Sequence, residues 1–108
     1  MYSMIEMVWD FYVVMIQSKK GILMIRWKTQ DRDHNPIYLS QERWEHIIEP
    51  INHPEMVAYE SHLQYTIQQG KRKQDQLNPQ KYRYSQAFDD LVEDNTHVVA
   101  IALFRFRE

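Results

Sequence analysis

The stretch 43–55 holds more chemically capable side chains than any other part of the chain, among them Arg43, Trp44, His46 and His53. An imidazole can take or give a proton near neutral pH, and a guanidinium can stabilise negative charge that develops on a phosphate. These are the groups of a metal-independent ribonuclease, in which one side chain removes the ribose 2′-hydroxyl proton and another protonates the departing 5′ oxygen. The same residues scattered over a surface would have no such activity, and spacing alone does not decide between the two.

Other reaction chemistries have less support in the sequence. The chain has no cysteine, which excludes disulfides, a thiol nucleophile and thiolate metal ligands. Its five histidines include no pair at the i, i+4 spacing of a helical zinc site, and His53-Pro54-Glu55 lacks the paired cysteines of the zinc deaminases. With two glycines in all, the chain has no glycine-rich phosphate loop. We therefore predict neither a metal nor another cofactor.

Each residue of the stretch also has an ordinary structural explanation. His46 can be a core histidine whose ring is hydrogen-bonded, and His53 can be a helix cap. Arg43 can form a surface salt bridge with a neighbouring glutamate. Trp44 fits a core position better than a base-stacking platform. The residue types alone leave these alternatives open.

The elements that position these residues begin with a hairpin followed by a helix. Ile22–Thr29 and Ile37–Leu39 have the composition of strands, and the polar turn at 31–36 joins them. Ser40 is a good N-cap for the helix that follows. That helix should run to about Glu49, because the proline after it disfavours helical geometry at the preceding residue.

A second helix is predicted from Pro54 to Gly70, with the glycine as a left-handed cap. Beyond it, Lys71–Gln80 is predicted as a polar loop, and Tyr82–Tyr84 as a strand. Residues 85–93 fit either a strand or a short helix. The apolar residues of the last segment occupy both faces, as expected for a central strand at Val98–Phe104. A strand hairpin, two helices and further strands predict an α+β fold.

A length of 108 residues predicts a single domain (1–108). Charge is distributed unevenly along this domain. The formal net charge of −2 gives no overall attraction to nucleic acid or membrane. Cations are nonetheless concentrated in one segment, as Lys71, Arg72, Lys73, Lys81 and Arg83. The segment after it is acidic, with Asp89, Asp90, Glu93 and Asp94. Either a phosphate-binding patch lies beside an acidic loop, or both segments are solvated faces, which is the plainer explanation.

The N-terminal residues 1–23 are ambiguous. Val8–Ile16 is rich in β-branched and aromatic residues and is predicted as a strand, although a buried helix with a narrow polar stripe also fits. The apolar run Met4–Ile16 is interrupted by Glu6 and Asp10 and is shorter than the roughly 20 residues of a membrane span. It also lacks the flanking features of a signal peptide. We expect a cytoplasmic protein that does not contact a membrane.

Two runs of residues resemble a known family. Tyr38–Ile47, with its arginine-tryptophan-x-histidine-isoleucine core, and His53–Met56 are similar to the opening of a family of small, mostly phage and cyanobacterial proteins. That family is grouped with the barnase, EndoU, colicin and RelE-like ribonuclease fold. Thr66, Gly70-Lys71-Arg72 and Asn78–Tyr82 also fit, and the similarity covers about residues 24–107. The resemblance implies two helices packed on a twisted antiparallel sheet, and toxin-type RNA cleavage or an activity derived from it.

The same resemblance implies roles for five residues. His46 and Arg43, on the first helix, are the implied active-site pair. Tyr82 is a further catalytic candidate, as a proton donor, and Lys71 and Arg72 are candidate phosphate ligands. We expect His46 and Arg43 to share a solvent-open cleft with at least one of these three.

The chain also departs from the family pattern. Family members continue past the strand at 98–106 into one more strand, which carries a threonine-alanine-tyrosine motif that this chain lacks. Residues 1–23 look like an addition to the family-like region 24–108, because Met24-Ile25-Arg26-Trp27 resembles a native start. One hypothesis is that Val8–Ile16 takes the place of the missing strand and pairs with 98–106.

Two functions follow as expectations. The first is metal-independent cleavage of RNA. The second is a non-enzymatic interaction module on the same fold, whose partner is a protein or a second copy bound at an open sheet edge. A truncated, inactive homologue is a further alternative.

Overall fold

The computed structural model describes the backbone of residues 2–9, 12–13 and 24–105, and the side chains of residues 24–104. The strands are β1 (Tyr2–Trp9), β2 (Tyr12–Val13), β3 (Ile25–Gln30), β4 (Pro36–Ser40), β5 (Lys71–Gln74), β6 (Lys81–Ala87) and β7 (His97–Arg105). The helices are α1 (Gln41–Ile47), a 3₁₀ helix (Pro54–Ala58) and α2 (Glu60–Gln69). This is the predicted α+β class.

The seven strands form one sheet in the order β3-β4-β1-β7-β6-β5, with β2 paired to β1 outside that path. The β3–β4 and β5–β6 hairpins are antiparallel and occupy the two ends of the order. The predicted N-terminal hairpin is thus present as β3–β4, and β1–β2 form a second one before it. A single parallel pairing, Met4 with Tyr38, joins β1 to β4.

β1 pairs with β7 along its full length, from Tyr2 opposite Arg105 to Trp9 opposite Val98. An N-terminal strand therefore covers the edge of β7, as expected if an N-terminal segment takes the place of the missing C-terminal strand. The segment that does so is Tyr2–Trp9, which overlaps Val8–Ile16 only at its end. Residues 10–11 and 14–16 of the predicted strand lie outside the described residues.

The two faces of the sheet differ. One face packs against the helices, and its core includes Val98, Ala100, Ala102, Phe104, Tyr84, Leu63, Ile67, Trp44 and Ile47. Because side chains alternate along a strand, Val99 and Ile101 point to the opposite face, where they form a separate buried pair. We call these the helix face and the outer face.

α1 begins and ends for local reasons. The hydroxyl of Ser40 accepts a hydrogen bond from the backbone N–H of Arg43 at 3.1 Å, which confirms the predicted N-cap. Glu42 lies in the first turn, where the helix dipole favours negative charge. The helix ends at Ile47, two residues before the predicted end, and Ile48 is its C-cap.

The predicted second helix is two elements, because the chain leaves helical geometry at Tyr59, with φ −121° and ψ 18°. Gly70 ends α2, but its φ of −69° and ψ of 161° are extended, so the predicted left-handed cap is wrong. A Cβ on Gly70 would collide with the carbonyl oxygen of Thr66 and lie 2.9 Å from that of Ser85. Glycine is therefore needed at this position for close approach of two backbones.

The polar segment after Gly70 also differs from the prediction. Its first residues, Lys71–Gln74, are the edge strand β5, whereas the sequence predicts a loop over Lys71–Gln80. β6 extends to Ala87, so the first part of the ambiguous segment 85–93 is strand.

The sheet is strongly curled, since its two end hairpins meet beside α2. The hydroxyl of Tyr84 on β6 donates to Asp31, just after β3, at 2.6 Å. The amide of Gln68 at the end of α2 donates to the hydroxyl of Thr29 on β3 at 2.9 Å. The first contact joins the two ends of the strand order, and the second ties α2 to β3.

Candidate functional site

His46 lies on the helix face with its imidazole about one-third exposed. Its Nδ1 is 3.0 Å from a carboxylate oxygen of Glu49, and its Nε2 is 4.0 Å from one of Glu42. The ring is thus flanked by two acidic side chains of its own segment. These two carboxylates would repel a negatively charged RNA backbone.

Arg43 is buried, with 2% of its surface exposed. It lies on the inward side of α1 together with Trp44 and Ile47. The expectation that Arg43 and His46 share a solvent-open cleft is therefore wrong, because the guanidinium is enclosed. Arg43 is thus not a surface residue, and Trp44 occupies the predicted core position.

His53 is also buried, at 4% exposure, immediately before the 3₁₀ helix. Its side chain makes no capping hydrogen bond, and its Nδ1 lies 3.3 Å from a carboxylate oxygen of Glu55. Burial lowers the pKa of His53, an effect that Glu55 opposes only in part. The residue fits the core of the helix layer better than a catalytic position.

The other three predicted site residues lie at the opposite end of the strand order, on β5 and β6. Arg72 stacks on Tyr82, with its guanidinium carbon 4.4 Å from the ring centre. Lys71 lies on the other side of β5, since adjacent residues of a strand point to opposite faces. The structure therefore brings Arg72 and Tyr82 together and directs Lys71 to the outer face. The catalytic roles implied for His46, Arg43 and Tyr82 stay predictions.

Arg72 also lines a cavity of about 470 Å³ together with Arg32, Asp31, Asp33 and Tyr84. Its terminal nitrogens are 3.6 Å from Asp31 and 3.7 Å from Asp33. Burial works to lower the pKa of Arg72, but Tyr84 and the two carboxylates raise it overall. The cavity carries both signs of charge, which favours a structural junction over an anion site.

Asp31 is the centre of that junction. One carboxylate oxygen accepts from the backbone N–H groups of Asp33 and Asn35 at 2.9 and 2.8 Å, and the other accepts the hydroxyl of Tyr84. Burial would raise the pKa of Asp31, but the hydrogen bonds from Tyr84, Asn35 and Asp33 lower it below its usual range. Burial and Asp31 together raise the pKa of Tyr84 far above its usual range, so the phenol remains a donor.

Among the described residues, four cations gather on the outer face of the β5–β6 hairpin. The strand register places Lys73 directly opposite Arg83, and Lys71 opposite Ser85. Lys81 is two residues from Arg83 and therefore points to the same side. Lys71, Lys73 and Arg83 are exposed, and Lys81 is partly exposed. We call these four residues the basic face.

Among the residues whose side chains are described, Asp75 is an acidic residue that adjoins the basic face. Asp75 follows β5, and one of its carboxylate oxygens accepts the backbone N–H groups of Leu77 and Asn78 at 2.9 Å each. These hydrogen bonds, and then the charges of Lys81 and Arg83, lower the pKa of Asp75. The Asp75 carboxylate that lies beside these cations is thus already engaged in capping the turn.

The sequence contains a spacing pattern that indicates the basic face, although a count of cations in the segment does not show it. Lys71 and Lys73 are two apart, as are Lys81 and Arg83, and a period of two places each pair on one side of a strand. The signal becomes readable once both segments are known to be strands. Arg72, placed in the same group from sequence, belongs to the helix face.

Within the described part of the chain, no three side chains of the types that bind metals cluster in a way that would hold an ion. None of the described helices is long and apolar enough to cross a membrane. No protein-family model, curated protein or solved structure matches the chain.

Proposed function

We propose that this protein is an RNA-binding module that holds the sugar–phosphate backbone of a single strand on the basic face. The observation that carries the proposal is the position of Lys73 directly opposite Arg83. Like charges at directly opposed positions of an antiparallel pair destabilise the sheet. A polyanion bound across the hairpin would relieve that repulsion.

The dimensions of the basic face suit an extended strand. Lys71 and Lys73 are two residues apart on β5, a separation of about 6.6–6.8 Å at the usual rise of a strand. That spacing is comparable to the separation of consecutive phosphates in an extended nucleic-acid strand. β5 is an edge strand whose four residues are all exposed, so a linear ligand has access along it.

RNA is favoured over other polyanions by the sequence resemblance, which implies an RNA substrate. Phosphate contacts by lysine and arginine carry no base preference themselves. We therefore expect binding that depends strongly on salt and weakly on sequence.

Binding fits the geometry better than cleavage. The basic face lies on the outer side of the sheet, whereas His46 lies on α1, which packs on the helix face. Arg43 is buried in that layer. An RNA strand on the basic face is thus separated by the sheet from the imidazole that would act on it.

The proposal is tested by fluorescence anisotropy with a labelled single-stranded RNA in the presence of a chelator. The double variant Lys73→Ala/Arg83→Ala should bind at least tenfold more weakly than the wild type. The slope of log affinity against log salt should fall by about 1.4, because each phosphate contact to a single strand contributes about 0.7.

Lys28→Ala is the matched control, since Lys28 is an exposed lysine on β3, at the other end of the strand order. Its affinity and salt slope should equal those of the wild type. Equal losses of RNA affinity in both variants would show that RNA is attracted by positive charge in general, and would contradict binding at the basic face. Shortening of the RNA by the wild type but not by His46→Ala would instead establish the cleavage function.

A further inference from the structure

A cavity of about 310 Å³ opens at the turn end of the basic face. It is lined by three cations, Lys73, Lys81 and Arg83, by the carboxylate of Asp75, which caps the turn, and by two apolar side chains, Leu77 and Ile101. We propose that this cavity is a subsite for one unpaired nucleotide of the RNA, with its phosphate on the cations and its base against the apolar side chains. The inference rests on the proposed function and adds a base contact to it.

The turn that forms the outer wall of the cavity is held by its own hydrogen bonds. Asp75 caps it through the N–H groups of Leu77 and Asn78, and the side chain of Asn78 accepts the N–H of Gln80 at 3.0 Å. The amide of Gln74 donates to the carbonyl of Pro79 at 2.9 Å. The wall is therefore ordered before a ligand arrives, which reduces the entropy lost on binding.

Leu77 is the apolar group that this turn presents. Its side chain is 95% exposed, the most exposed large hydrophobic residue among those described. The hydrogen bond from its own backbone to Asp75 fixes where the side chain leaves the turn. A base that covers Leu77 would remove apolar surface from water, a gain that a free phosphate cannot provide.

The rest of the cavity lining combines apolar and hydrogen-bonding groups, both of which a nucleotide can contact. Ile101 lies beside Arg83 in the strand register and lines the floor, but it is only 4% exposed, so Leu77 supplies most of the apolar contact. Gln76 supplies an amide that can donate to or accept from a base edge. The volume lies at the lower end of the range for small-molecule sites, which suits one nucleotide and not a base pair.

The test is a nuclear magnetic resonance titration of the ¹⁵N-labelled full chain with adenosine 5′-monophosphate, uridine 5′-monophosphate and inorganic phosphate. The two nucleotides should shift the amide signals of 74–77, Arg83 and Ile101, and should bind more tightly than phosphate. Leu77→Ser should weaken nucleotide binding about fivefold to tenfold and leave phosphate binding unchanged.

Val57→Ser is the control, because Val57 is also an exposed apolar residue, at 66%, but lies on the 3₁₀ helix. It should bind nucleotides as the wild type does. Nucleotide affinity that is unchanged by Leu77→Ser, or equal to the affinity for phosphate, would overturn the subsite. If RNA still binds the basic face in that case, the proposed function stands without the subsite. Failure of the wild type to bind RNA at all would overturn both.

Discussion

Asp31 shows how a single side chain closes the curled sheet. It organises the turn between β3 and β4 through backbone N–H groups and accepts the hydroxyl of Tyr84 from β6. The carboxylate is buried and would be costly to leave without these donors. The junction that it forms therefore holds the β5–β6 hairpin, and with it the basic face, in place.

Tyr84→Phe should lower the free energy of unfolding by about 1–3 kcal/mol at neutral pH, because it removes a donor from a buried carboxylate. Chemical denaturation measures this loss. Tyr65→Phe is the control, since Tyr65 is 47% exposed and should change stability by less than about 0.5 kcal/mol. Equal effects of the two substitutions would show that the hydrogen bond contributes nothing.

The stabilisation by Asp31 should also depend on pH. Its pKa is lower in the folded protein than in the unfolded chain, so its contribution is present above the unfolded value of about 3.9. That contribution is lost as the pH falls through the folded value. The stability difference between the wild type and Asp31→Asn should thus be constant near neutral pH and shrink in strong acid. A stability difference between the two proteins that stays unchanged down to about pH 2 would contradict stabilisation by the ionised carboxylate of Asp31.

At the scale of elements, the junction between α2 and β5 depends on Gly70. Any Cβ at this position meets the carbonyl oxygens of Thr66 and Ser85, both of which are backbone atoms. Gly70→Ala should therefore cost about 1–3 kcal/mol through displacement of α2 from β6. Thermal unfolding measures this loss of stability, with Gln69→Ala, at the exposed neighbouring position, as the control. An increase in stability in Gly70→Ala would contradict the predicted collision, because it would mean that Gly70 affects stability only by making the unfolded chain more flexible.

The elements that the sequence predicted well are those with local signals. Ser40 caps α1 as expected, and the apolar run Val98–Phe104 lies within the central strand β7. β5 was missed because an exposed edge strand of lysines, arginine and glutamine has neither apolar alternation nor high strand propensity. Gly70 was assigned to a left-handed cap because its actual constraint, contact with Ser85 of a later strand, is not local.

The site was harder to predict than the fold, for the same reason. The types of residue at 43–46 suggested an active pair, but helical periodicity does not reveal that the arginine faces the core. The cations of the basic face come from two strands, and their alignment depends on the register of Lys73 with Arg83. Such register is set by the hairpin as a whole and not by either segment.

At the scale of the whole molecule, β1 is the strand that unites the two halves of the sheet. It lies between β4 and β7 in the strand order, so pairing across the middle depends on it. Without it, the edge of β7 would be open to another chain. The partners of β1 are distant in sequence, which is why the sequence hypothesis placed Val8–Ile16 beside the last strand and did not foresee Tyr2–Trp9 between β4 and β7.

Glu6→Pro should disrupt this pairing, because Glu6 lies opposite Ile101 in the middle of β1 and proline is excluded from the interior of a sheet. We expect a loss of about 1–3 kcal/mol in unfolding free energy and the appearance of dimers or larger species. Denaturation and size-exclusion chromatography measure the two effects. Glu6→Ala, which keeps the backbone N–H, should remain close to the wild type; identical behaviour of the two variants would contradict a uniting role for β1.

Charge is also organised across the whole molecule. The basic face lies toward the 75–80 turn of β6, and the acidic residues Asp89, Asp90, Glu93 and Asp94 follow the other end of that strand. A polyanion should therefore approach the hairpin from the turn end, although the protein as a whole carries a slight negative charge.

The most direct measurement is the footprint of a short single-stranded RNA on the ¹⁵N-labelled full chain at low salt. An RNA-binding basic face predicts that the largest signal changes fall at 71–74 and 81–85, and that they disappear at high salt. The largest changes at 41–49, around His46, with β5 and β6 unaffected, would contradict the account and move RNA to the helix face.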